Sequence, residues 1–185
     1  MKIYADKIYS KANKLVRQFG TRDPAIISKE LGIMVKYGDF GSLLGMYTYA
    51  WRHRIILLSN QVDNQLLSVV HAHELGHDQL HRAVAKESAF HEFALFDIRS
   101  RMEYEANSFA AHLLIDNNDV LEMVKDGYDI VQMASNFNVN INMMLIKVQE
   151  MSKMGFDIRA PWRPDASFLG KVTDFERDQS HWPDT

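Results

Sequence analysis

Residues 69–77 read Val-Val-His-Ala-His-Glu-Leu-Gly-His, with His73 and His77 four apart and Glu74 directly after the first of them. On a helix, one turn separates these two histidines and both imidazoles leave from the same face, about 6 Å apart along the axis. Two neutral nitrogens held that way suit zinc, a tetrahedral ion that takes nitrogen and sulfur donors. Glu74 falls about 100° around the helix from His73, beside a bound ion rather than aimed at it. That is the place for a general base acting on water at the metal. Leu66, Leu67, Val69, Val70, Leu75 and Leu80 surround the motif, so the stretch reads as a largely buried helix. Buried imidazoles and a buried carboxylate need partners, and a metal supplies one.

A catalytic zinc site takes three protein ligands and keeps one position open. The next strong helical pattern covers residues 101–114, where Glu103, Asn107, Ala110 and Leu114 share a face lined with small residues. Glu103, 26 residues after His77, is the expected third ligand. Asn107, one turn on, is placed to hydrogen-bond a ligand imidazole and set its tautomer. Glu105 is the rival ligand but lies off the small-residue face. His71 points away from His73. His81 shares a face with His77 but sits about 12 Å along the axis from His73, so one ion cannot bind all three. His81 reads as a structural or near-site residue, and a 77/81 metal pair would lack a suitably placed glutamate. His53, His91, His112 and His181 have no spacing that suggests ligation.

The chain has no cysteine, which excludes disulfides, thiolate metal sites and thiol catalysis. A net charge of −3 and a pI near 6.2 argue against a polyanion-binding surface. The N-terminus is amphipathic and charged, without the apolar run of a signal peptide, and no stretch approaches 18 consecutive apolar residues. A cytoplasmic protein, with neither membrane nor direct nucleic-acid partners, is expected.

The elements that position the motif follow from periodicity. Residues 2–20 predict a helix ended by Gly20, and Asp23-Pro24 opens a second, short one ended by Gly32. Alternation at 33–37, then apolar runs at 45–51 and 54–59 joined by a turn at Arg52-His53, predict a three-stranded, mostly antiparallel sheet. An exposed edge of that sheet could pair with an extended peptide. The motif helix is expected over 65–80 with Asn64 as N-cap. Residues 82–100 are ambiguous, either a loop over the site or a broken helix. Further helices are expected at 120–124, 130–137 and 141–154. The pair around residues 137–139 has loose helix-turn-helix spacing but lacks the basic footprint of a DNA reader, so packing is its expected role. The resulting fold class is α+β: a small three-stranded, mostly antiparallel sheet against a zincin-like helical core over residues 1–116, a helical C-terminal region over 117–160, and a loose tail over 161–185.

HELGHDQLH at 73–81, followed by EYEANSFAAHLL at 103–114, resembles the ImmA/IrrE family of zinc metallopeptidases, which joins an HExxH helix to an E-x-x-A-[ND]-x-F-A helix behind a small sheet. The likeness extends over residues 2–114, and Asn107 keeps the [ND] position. It implies zinc on His73, His77 and Glu103 with Glu74 as the catalytic base. It also implies a site-specific endopeptidase of the kind encoded on mobile elements, beside a helix-turn-helix repressor that it cleaves or antagonises. Such an enzyme needs a donor for the tetrahedral oxyanion; Tyr47, Tyr49, Tyr104 and His112 are candidates, and the sequence does not choose among them. The alternative is a non-proteolytic, zinc-bearing regulator that binds a repressor or senses a signal, which would not need Glu74. A DNA-binding factor working through residues 130–154 is the third reading.

Overall fold

The computed structural model of the chain describes residues 2–85, 90–92 and 101–158. Helix α1 (Lys2–Phe19) buries Ala5, Ile8, Ala12 and Leu15, a stripe at spacings of three and four. Helix α2 (Pro24–Glu30) starts where the Asp23 side chain accepts the amide of Ala25 and Pro24 takes the first helical position. Gly32, at φ +69°, then turns the chain into the sheet.

Strands β1 (Met34–Gly38), β2 (Gly45–Ala50), β3 (His53–Ser59) and β4 (Phe90–Glu92) lie in the order β1-β3-β2-β4. The β2–β3 and β2–β4 pairings are antiparallel and the β1–β3 pairing is parallel. The three strands expected from alternation are therefore present in a mixed, mostly antiparallel sheet. The parallel pair arises because the β2–β3 hairpin returns β3 between β1 and β2. The apolar run of β3 suits this place, with Ile56 and Leu58 fully buried, while edge strand β1 exposes Met34 and Tyr37. The hairpin turns at Trp51 and Arg52, both at positive φ (49° and 65°), one residue earlier than expected. Two consecutive positive-φ residues match the right-handed twist of the flanking strands. β4 falls inside the stretch that was ambiguous in sequence; the remainder of that stretch at 86–89 and 93–100, like the tail at 161–185, lies outside the described residues.

Helix α3 (Asn64–Ala85) carries the HExxH motif. Its cap is Asp63 rather than Asn64: Asp63 Oδ1 accepts the amide of Leu66 at 2.8 Å, and Asn64 is already inside the helix. The backbone leaves helical geometry at His81 (φ −123°, ψ 17°) before a last turn carries α3 beyond the expected end. Helix α4 (Arg101–Leu114) lies against α3, and Gly76 makes that approach close. A Cβ at Gly76 would stand 3.1 Å from Ala106 Cα and 3.2 Å from Phe109 Cδ1. Helices α5 (Asn117–Lys125), α6 (Ile130–Asn136) and α7 (Ile141–Met154) are capped by Asp116, Asp129 and Asn140. α7 packs on α4 and α1 and buries Met143, Met144, Leu145, Ile146, Val148 and Met151, so the α6–α7 pair spends its faces on the core. No described helix is long and apolar enough to cross a membrane.

Candidate metal centre

His73, Glu74 and His77 are completely buried where α3 passes between the sheet and α4. The two Nε2 atoms lie 3.0 Å apart, and Glu103 Oε2 reaches in from α4 to 3.3 Å from His73 Nε2 and 3.5 Å from His77 Nε2. Adjacent ligands of a tetrahedral ion at the usual zinc–nitrogen and zinc–oxygen distances are separated by roughly 3.3–3.4 Å. Three converging donors in a triangle of 3.0, 3.3 and 3.5 Å fit three corners of such a site. The donor set, two imidazoles and a carboxylate, is one that zinc accepts. The Glu103 side chain is 15% exposed, but its Oε2, like both imidazoles, is buried.

Each imidazole is oriented through its other nitrogen. His73 Nδ1 lies 2.8 Å from Asn107 Oδ1, an acceptor that holds the proton on Nδ1 and turns the Nε2 lone pair inward. His77 Nδ1 lies 3.1 Å from Nδ1 of His81, whose Nε2 is 2.9 Å from Glu105 Oε2; Arg101 Nε donates to Glu105 Oε1 at 2.7 Å. Burial lowers the pKa of His81, and the hydrogen bond to Glu105 opposes that shift. The sequence sets His81 and Glu105 apart from the ligands but does not show that they meet. The available signal was His81 repeating the four-residue step and Glu105 following two residues after Glu103.

Glu74 is held from behind by β2. A Cβ on Gly45 would come within 2.7 Å of Glu74 Oε1 and 2.5 Å of Val70 Cγ1, so the carboxylate has room only because residue 45 is glycine. Further along α3, buried Asp78 receives Arg54 and Arg82 at 3.1 and 3.0 Å, and Arg54 also donates to the carbonyl of Leu31. This ties α3 to β3 and to the end of α2.

The other residues singled out in sequence lie apart from the triangle or have different partners. Tyr47 is buried, and burial together with nearby Asp78 raises its pKa. Tyr49, half-buried, lines a surface recess with Arg52, His53, Arg54 and Arg82. The Tyr104 hydroxyl donates to Glu150 on α7, and burial and that carboxylate raise its pKa. His112 is buried at the far end of α4, roughly 13 Å along the helix from Glu103. His71 Nε2 pairs with Ser28 Oγ at 2.9 Å, and burial pushes its pKa down to about 4, which suits a neutral, structural imidazole.

Comparison with known proteins points to the same helices. The peptidase M78 family, described as the IrrE N-terminal-like domain, matches residues 28–149, from α2 into α7. The chain is also similar to "uncharacterized immunity region protein 2" of Bacillus phage phi105, at 28% identity over 109 residues, covering 58% of this chain and 68% of the phage protein.

Proposed function

Since this chain belongs to the peptidase M78 (IrrE N-terminal-like, ImmA/IrrE) family, a metallopeptidase family, we propose that it is a zinc-dependent endopeptidase that cuts a helix-turn-helix transcriptional repressor at a specific site in the cytoplasm. The observation that carries the reading is the convergence of His73 Nε2, His77 Nε2 and Glu103 Oε2 beside a buried glutamate that is not one of the three. A metal that served structure alone would not need Glu74 there. The phage immunity-region relative supports the repressor context.

In this reading His73, His77 and Glu103 hold the metal. Zinc bound there supplies Lewis acidity, which makes water easier to deprotonate and polarises a carbonyl. A Glu74 carboxylate oxygen takes the proton from water as it attacks the scissile carbonyl, then delivers it to the leaving amine. Gly45 keeps that carboxylate in line by leaving no side chain to displace it. Asn107 holds the proton on His73 Nδ1, so Nε2 faces inward at no further reorganisation.

The test compares wild type with Glu74→Gln on a helix-turn-helix repressor from the same genetic neighbourhood, with zinc measured in both proteins. Cleavage by wild type alone, with zinc in both, is the expected outcome. Equal loss of repressor function without a cut by either would replace the peptidase with a zinc-bearing regulator that acts by binding.

A further inference from the structure

We propose that His81 and Glu105 are positioning residues that set the tautomer and ring orientation of His77, so that the two histidine ligands are supported in chemically different ways. The inference rests on the metal assignment above and concerns side chains outside the ligand triangle. His77 can offer Nε2 to a metal as a neutral imidazole only if its proton sits on Nδ1. The atom facing that proton, at 3.1 Å, is His81 Nδ1, which must then be the acceptor. His81 consequently carries its own proton on Nε2, and the atom 2.9 Å away is Glu105 Oε2, an acceptor when ionised. Arg101 Nε, a donor that never becomes an acceptor, closes the row on Glu105 Oε1 at 2.7 Å. With the lone pair of His77 Nε2 committed inward, only one arrangement of protons satisfies all three contacts. Reversing any of them sets two donors or two acceptors against each other.

Burial makes the arrangement specific. His81 and Glu105 are 6% and 9% exposed, so water is a poor substitute partner for either. Arg101 is 76% exposed, and its pairing with Glu105 is the dispensable end of the row. His73, by contrast, rests on the neutral amide of Asn107. A carboxylate reaching a metal ligand through an intervening imidazole makes the His77 side the more electron-rich half of the site. The break in helical geometry at His81 is local to this contact.

The full-length chain tests this with zinc alone. Zinc affinity is measured by competition with a chromophoric chelator for wild type, His81→Leu, His81→Gln and Glu105→Gln, with circular dichroism of each metal-free protein as the check on folding. Imidazole ¹⁵N spectra of the zinc-loaded wild type read the tautomers. His81→Leu is expected to weaken zinc binding about 10–100-fold. His81→Gln, whose side-chain oxygen can accept from His77 Nδ1, is expected to recover most of that loss. Glu105→Gln keeps an acceptor but loses its charge, so a smaller loss is expected. In the spectra His81 carries its proton on Nε2. Affinity unchanged in folded His81→Leu, no recovery in His81→Gln, or a His81 proton on Nδ1 overturns the proposal. If His81→Leu does not fold, unchanged affinity in Glu105→Gln overturns it alone. Wild type that takes up no zinc overturns the metal assignment itself, which distinguishes that failure from failure of the positioning role.

Discussion

Helix α4 carries two buried polar clusters, one at each end, and they are built from different groups. At its start, Glu103 Oε2 joins His73 Nε2 and His77 Nε2 in a triangle of 3.0 to 3.5 Å. At its end, donors meet acceptors. Lys147 Nζ, fully buried, donates to the carbonyl of Ile115 at 2.8 Å and lies 3.3 Å from His112 Nδ1. Arg22 donates to the carbonyls of His112 and Leu113 at 3.1 and 2.8 Å and pairs with Asp116. These cations close the C-terminal end of α4, where backbone carbonyls lack helical partners and the helix dipole is negative. In the second cluster burial pushes the Lys147 pKa down to about 7 and that of His112 well below its usual value. Burial and a shifted pKa therefore do not by themselves mark the candidate metal site on this helix. What distinguishes the start of the helix is the convergence of two imidazole nitrogens and a carboxylate oxygen, a set that a bound cation would stabilise in a dry interior.

If the comparison holds, changes at the start of α4 alter chemistry and changes at its end alter stability. The largest effect is expected from Glu103→Ala, which leaves two ligands: zinc content after desalting and peptide cleavage should both fall to background. Glu74→Gln should retain zinc and lose about 10²–10⁴-fold in kcat, the usual contribution of a positioned general base. Gly45→Ala sets a methyl group against Glu74 and Val70, so kcat should drop on the order of 10²-fold with zinc retained, at a stability cost of about 1–3 kcal/mol. The smallest effect on activity, none, is expected from Lys147→Met, whose signature is in stability. Unfolded lysine holds its proton up to about 10.5 and folded Lys147 only up to about 7, so between these values the unfolded chain binds the extra proton and stability rises with pH. Melting measured from pH 7 to 10 should show that rise in wild type, by at most about 1.4 kcal/mol per pH unit, and a flatter profile in Lys147→Met. A Lys147→Met protein that folds but no longer cuts would break the division between the two ends.

Local signals in the sequence carried far. The four-residue step from His73 to His77 needs only helical geometry to place both rings on one face, and the small residues after Glu103 mark a helix that packs closely. Asp23-Pro24, Gly20 and Gly32 announce their helix ends through chemistry confined to a few residues. Reading failed where two local signals competed or where partners came from afar. Asn64 and Asp63 are both good caps, and which one serves depends on where the first turn settles against the core. The turn at Trp51-Arg52 uses residues that rarely take positive φ, so composition pointed one residue too late. Segment 82–100 lacks periodicity, and its short strand β4 exists only because the edge of β2 is there to pair with it.

The sequence by itself determined the helical spacing of His73, Glu74 and His77, the absence of thiol ligands, and the small-residue seam of α4, because each depends on residue type and a one-turn repeat. Helix geometry in the sequence already favoured Glu103 over Glu105; only the tertiary structure decided that Glu105 turns to His81, because that pairing depends on how α4 is set against α3 at Gly76 and Ala106. The same holds for the space that Gly45 leaves behind Glu74 and for the parallel pairing of β1 with β3. These are contacts between elements far apart in the chain, and no periodicity within either element records the register in which they meet.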